Sequence, residues 1–211
     1  MRIDPLKEAV NISEVNVLKA PYKVEVISGL RIVMMSEPAL NHDIVVSNLQ
    51  GMFYNFLRGK ICRSFVDGVA VHLLEESGGK GDNVVVPDAF ILCDRRKWQK
   101  DGIHGTPDLI VEVLSPSTKK NDRGSKKDLY EKAGVKEYWL VDPDIQEVEV
   151  YLLNEDRFQL SDVYRIPKVD DLEEYKLNAK TKFNMDLFSD FEIDLRDIFE
   201  DVVDWNLTNK A

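Results

Sequence analysis

Positive charge is what this sequence most lacks. Lys and Arg total 28 against 38 Asp and Glu, a formal net charge of −10 over 211 residues. Gripping duplex DNA through its phosphates needs clustered cations, and a globally acidic chain repels phosphates at long range. Cysteine is nearly absent. Cys62 and Cys93 stand in no metal or redox spacing, so they read as reduced cytoplasmic thiols and not as a disulfide framework. No run of about 18 apolar residues occurs, which excludes a transmembrane helix. The opening MRIDPLKEAVNISE has no apolar core, so no signal peptide is expected and the cytoplasm is the expected location. There is no internal repeat and no low-complexity tract. No phosphate-binding glycine loop is present, since Gly78, Gly79 and Gly81 lack the strand-to-helix context and the Lys-Ser/Thr ending. Ser115 has no Gly-x-Ser-x-Gly elbow around it. His42, His72 and His104 are scattered without ligand spacing.

What is present is an ordinary globular balance, 44% hydrophobic and 31% charged, of a length that suits one α/β domain. We divide the chain into a polar lead-in (1–20), a single domain (21–203) and a short tail (204–211). Residues 22–35 predict a hairpin turning at Ser28-Gly29. The spacing of Val45, Leu49, Met52, Phe53 and Phe56 predicts a helix over 42–58, capped by Asn41 and stopped by Gly59. Residues 61–74 predict one or two strands broken at Asp67-Gly68, followed by a turn at 78–83. The run 84–92 predicts a single strand, 93–107 a mobile polar loop, and 108–114 a central strand apolar on both faces. A helix is predicted over 122–133, strands over 137–141 and 147–153, and a closing helix over 194–203 with Asp194 as its N-cap. Tyr138 and Trp139 read as core.

Glu112 is the most informative residue. An ionised carboxylate amid Leu109, Ile110, Val111, Val113 and Leu114 is costly unless it is paired or holds a metal. Pairing with a buried Arg or Lys is the structural alternative. Asp108 faces the same side at the strand's start. Asp88 follows Pro87 inside the preceding apolar run, where a proline marks an edge, bulge or splay that can re-aim a side chain. If those two strands are neighbours, Asp88 and Glu112 can converge as hard oxygen ligands for Mg²⁺ or Mn²⁺. Lys126 lies three and four residues before Leu129 and Tyr130, so it shares the inward face of its helix, while Lys127 is turned away and reads as solvated. His42, at a helix start, reaches the site if that helix borders the cleft. The cations from Arg95 to Lys127 form either a basic rim or loop charges facing nearby acids.

The pattern PDLIVEVLSPST at 107–118, with Asp122, Lys126, Tyr130 and GVKEYWLVDP at 134–143, resembles the Uma-type family of proposed restriction endonucleases, within the PD-(D/E)xK nuclease superfamily. The likeness extends to Pro87-Asp88, to Asn41-His42 and to the MMS at 34–36, and covers roughly Tyr22 to Phe199. It implies a restriction-endonuclease-like α/β (α+β) core, a mixed sheet flanked by helices with an N-terminal β-hairpin. It also implies metal-dependent hydrolysis of nucleic acid, DNA before RNA, and a homodimer. Asp88 and Glu112 would hold Mg²⁺ or Mn²⁺ together with the backbone carbonyl of Val113. Where the superfamily places a lysine two residues after the acid this chain has Leu114, so the lysine role passes to Lys126. Asp108, His42 and Tyr130 would support the site. The competing reading is a nuclease-fold binding module or accessory protein that does not cleave.

Overall fold

The structure, a computed structural model, describes residues 23–34, 40–66, 68–73 and 83–205. The lead-in 1–20 and most of the turn expected at 78–83 lie outside them.

The chain opens with β1 (Lys23–Ile27) and β2 (Leu30–Met34), an antiparallel hairpin. Its two-residue turn needs positive φ at both positions, and Ser28 and Gly29 supply 52° and 74°. Helix α1 (Leu40–Leu57) follows and buries Val45, Leu49, Phe53 and Leu57 along one face. Gly59, with φ of 84°, stops it. Asn41 is not a cap. It lies inside the first turn, and its amide clasps the backbone of Val203 at 2.9 and 3.0 Å, tying the start of α1 to the chain's end.

The next strands alternate between two sheets. β3 (Arg63–Val66) joins the second sheet and β4 (Val71–Leu73) the first. The expected single strand over 84–92 is in fact two, β5 (Asn83–Val85) in the first sheet and β6 (Ala89–Leu92) in the second. Pro87, which has no N–H for a ladder, lies at the crossing between them. The expected loop 93–107 also carries regular structure. A short 3₁₀ turn, Arg95–Lys97, leads into the hairpin of β7 (Trp98–Gln99) and β8 (Gly102–His104). Next comes β9 (Leu109–Val113), buried throughout.

The helix predicted over 122–133 starts earlier and is irregular. A single turn α2 (Lys119–Asn121) runs into a π-helical stretch, Asp122–Lys126, kinked at Gly124 (φ −117°, ψ −105°), and then α3 (Lys127–Lys132). Such π segments recur at functional sites. The chain continues with β10 (Glu137–Asp142), β11 (Glu147–Asn154), β12 (Arg157–Arg165), α4 (Glu173–Asn178), β13 (Lys182–Asn184), β14 (Glu192–Asp194) and α5 (Leu195–Ile198). The closing helix is thus one turn, with Asp194 capping it through the amide of Arg196.

The first sheet has the order β2-β1-β5-β4-β8-β7 and the second β12-β11-β10-β9-β6-β3. Both are mixed: β4–β8 and β9–β10 are parallel and the other pairs antiparallel. The fold is therefore α+β, with mixed sheets, few helices and an N-terminal hairpin. Side chains of β9 alternate between two cores. Leu109, Val111 and Val113 meet α1 and Trp139. Ile110 and Leu114 point into the space shared by the two sheets and α3.

Cys62 and Cys93 are joined as a disulfide. This corrects their reading as free reduced thiols. They follow on from the Arg63↔Leu92 pair of the β3–β6 ladder, a proximity that linear spacing conceals.

Candidate active site

Glu112 has the strand parity of Ile110 and Leu114, so it enters the inter-sheet space, where it is fully buried. Its Oε1 accepts a 2.6 Å bond from the Tyr130 hydroxyl and lies 2.7 Å from Lys126 Nζ. Lys126, only 1% exposed, also lies 3.3 Å from Asp122 Oδ1 and 3.4 Å from Glu25 Oε1. Glu25 comes from β1, and the same Oε1 accepts the amide of Val86 at 2.9 Å. Burial opposes the charge on Lys126, but Glu112, Glu25 and Asp122 outweigh it and hold the ammonium well above the ordinary lysine range. Asp122 is pushed up by burial, which Lys126 only partly offsets. Burial and the Glu112 carboxylate raise the Tyr130 phenol far above its usual value, so it is a permanent donor.

Asp88 joins from the crossing between the sheets. Its Oδ2 accepts the amide of Val113 at 2.8 Å, tying it to the residue beside Glu112. Oδ2 also lies 3.2 Å from His42 Nε2, so the first turn of α1 does border the site. Asp88, Glu112, Lys126, Tyr130, His42 and the backbone of Val113 therefore come together.

Asp108 does not. It sits a full strand length away, where its oxygens bond the amide of Cys93 at 2.8 Å and Lys136 Nζ at 2.9 Å. Lys127 is not simply solvated either, since its ammonium stands 3.6 Å over the Tyr151 ring. Glu25 was missed entirely. It reads as one polar residue in an ordinary hairpin, and only the packing of the first sheet over the second makes it part of the site. Asp122 stands in the family pattern, but the sequence assigns it no role at the site.

The donors fit a hard divalent cation. Three buried carboxylates surround one ammonium, an excess of negative charge that low polarity makes costly. Oε2 of Glu25 accepts no hydrogen bond from the described residues. Part of the basic stretch is neutralised by neighbouring acids. Arg96 pairs with Asp94, Lys119 with Asp142 at 2.7 Å and Arg123 with Glu149 at 2.5 Å. Among the described residues no helix is long and apolar enough to cross a membrane.

A crystal structure described as that of a putative nuclease belonging to DUF820, from Anabaena variabilis, superposes with a TM-score of 0.62 at 21% identity. That likeness covers 88% of this chain and 96% of the other, and it establishes a shared fold. An uncharacterized protein of Synechocystis sp. is 31% identical over 127 residues, 60% of this chain and 64% of that relative's length. Residues 12–180 match the family described as "Uma2: Putative restriction endonuclease", and the chain belongs to that family.

Proposed function

We propose that the protein is a metal-dependent endonuclease that hydrolyses phosphodiester bonds of DNA. The observation that carries this reading is the Asp88–Val113 bond, which sets one acid beside the strand residue that follows the other acid, Glu112. Family membership and the shared nuclease fold support it. Asp88, Glu112 and the Val113 carbonyl would hold Mg²⁺ or Mn²⁺. Such an ion, when bound, polarises a phosphoryl oxygen and lowers the pKa of a coordinated water. The chain's own groups prepare that site. His42 braces Asp88, Tyr130 fixes Glu112 through its hydroxyl, and Lys126 keeps a positive charge beside the carboxylates to offset charge that develops on the phosphate. A homodimer, as the family resemblance implies, would set one such centre on each strand of a duplex. The substrate argues for the cytoplasm, against which the Cys62–Cys93 bond stands, because disulfides are rare there.

A second reading has an observation in its favour. Lys126 is sealed between carboxylates, and Arg96, Lys119 and Arg123 are each already paired with an acid. A binding module that keeps the fold without cleaving would look the same. Plasmid nicking in Mg²⁺ or Mn²⁺ separates the two, using wild type, Asp88→Asn and Glu112→Gln purified identically. Nicking lost in both variants supports the endonuclease. Metal-independent nicking, or equal nicking in all three proteins, refutes it.

A further inference from the structure

Sequence spacing scatters the three histidines, but the first sheet brings two of them together. β4 and β8 run parallel with His72 directly opposite His104. Their rings stack with centroids 4.3 Å apart and planes within 15°. The β7–β8 turn adds Asp101, whose Oδ1 lies 3.0 Å from His104 Nε2. One ligand atom from each of His72, Asp101 and His104 lies within 4.8 Å of the others. Tetrahedral or octahedral coordination with metal–ligand bonds of about 2.1 Å needs donors roughly 3.0–3.4 Å apart, a closure that small side-chain rotations supply.

The backbone beneath this cluster is fixed. The amide of Ile103 bonds Ala70 O at 2.8 Å and that of Gly105 bonds His72 O at 2.9 Å, pinning β8 on both sides of His104. Gly102 permits this approach. With φ of 145°, a Cβ there would stand 2.3 Å from Ala70 O. Both histidines are part-exposed and Asp101 is exposed. An ion can therefore enter from solvent.

We propose that His72, Asp101 and His104 form a second metal site, distinct from the acidic centre, that binds a late first-row divalent cation such as Zn²⁺. Two imidazoles and one carboxylate favour Zn²⁺, Co²⁺, Ni²⁺ or Cu²⁺ over Mg²⁺, whose preferred ligands are carboxylates, carbonyls and water. The ion would fasten the β7–β8 hairpin to β4, and with it Trp98 at the sheet's edge. Solvent supplies the remaining coordination positions.

The test is Co²⁺ titration of the whole protein, read by visible absorption and by the metal-induced rise in Tm, in excess Mg²⁺ to occupy the acidic centre. Wild type, Glu112→Gln, His72→Asn and His104→Asn are compared, with metal-free melting curves to verify folding. The expected result is one Co²⁺ bound equally by wild type and Glu112→Gln. Each histidine variant should lose more than the roughly 10–100-fold in affinity that an outer-shell substitution costs. Co²⁺ binding unchanged in both histidine variants overturns the proposal, as does Co²⁺ binding abolished in Glu112→Gln.

Discussion

Replacing Lys126 with methionine keeps most of the side-chain volume and removes the charge. The ammonium lies 2.7, 3.3 and 3.4 Å from three buried carboxylates. At an effective dielectric near 20 those contacts correspond to roughly 6, 5 and 5 kcal/mol of attraction before desolvation and carboxylate repulsion are set against them. The net cost of stripping the partner from a buried charge is smaller, about 3–5 kcal/mol. For a chain of this size that is a Tm loss on the order of 10 °C. Glu112→Gln acts in the opposite electrostatic direction. It leaves Lys126 with two carboxylates, and the amide oxygen can still accept from Tyr130, so the expected change is on the order of 1 kcal/mol. The asymmetry depends on pH. Asp122 already has a raised folded-state pKa from burial, and removing Lys126 raises it further. A raised carboxyl contributes stability that is complete below its unfolded value and is lost as pH rises through its folded value. The deficit of Lys126→Met should therefore be largest near neutrality and shrink on acidification towards about pH 5. Urea unfolding of wild type and both variants at the two pH values provides the measurement. Lys126→Met no less stable than Glu112→Gln at neutral pH would refute the reasoning.

Tyr130→Phe removes a 2.6 Å bond to a buried carboxylate, worth about 1.5–3 kcal/mol. Urea unfolding should register that loss, and an unchanged midpoint would mean the hydroxyl does not hold Glu112. Lys127→Ala removes a cation 3.6 Å above Tyr151 and should cost about 0.5–2 kcal/mol in a melting or urea experiment, with plasmid nicking at wild-type level. A nicking-dead Lys127 variant beside an active Lys126 variant would show that the wrong lysine has been assigned. Reducing the disulfide, which links positions separated by 31 residues, should lower stability by roughly 3–4 kcal/mol on the chain-entropy account. Identical urea midpoints with and without reductant would contradict it.

The Ser28-Gly29 hairpin, the amphipathic run of α1 and the buried strand at 109–113 were legible in the sequence, because each is written in local periodicity and turn chemistry. So was the suspicion attached to Glu112, since a carboxylate in a wholly apolar strand needs a partner wherever the strand lies. The inward phase of Lys126 followed from its spacing to Leu129 and Tyr130, and it survived the π-helical kink that local propensity did not announce. The sequence also held the signal that broke the run 84–92, in Pro87, but not which sheet each half would join.

Only the tertiary structure decided what depends on contacts between distant segments. Glu25 became a partner of Lys126 because one sheet packs over the other. Asp108, on the same strand face as Glu112, stayed outside because a strand extends about 3.3 Å per residue and carried it to the far end. Cys62 met Cys93, and His72 met His104, through strand register, which linear spacing does not encode. Periodicity tells a residue which way to face, while register and layer packing decide whom it meets.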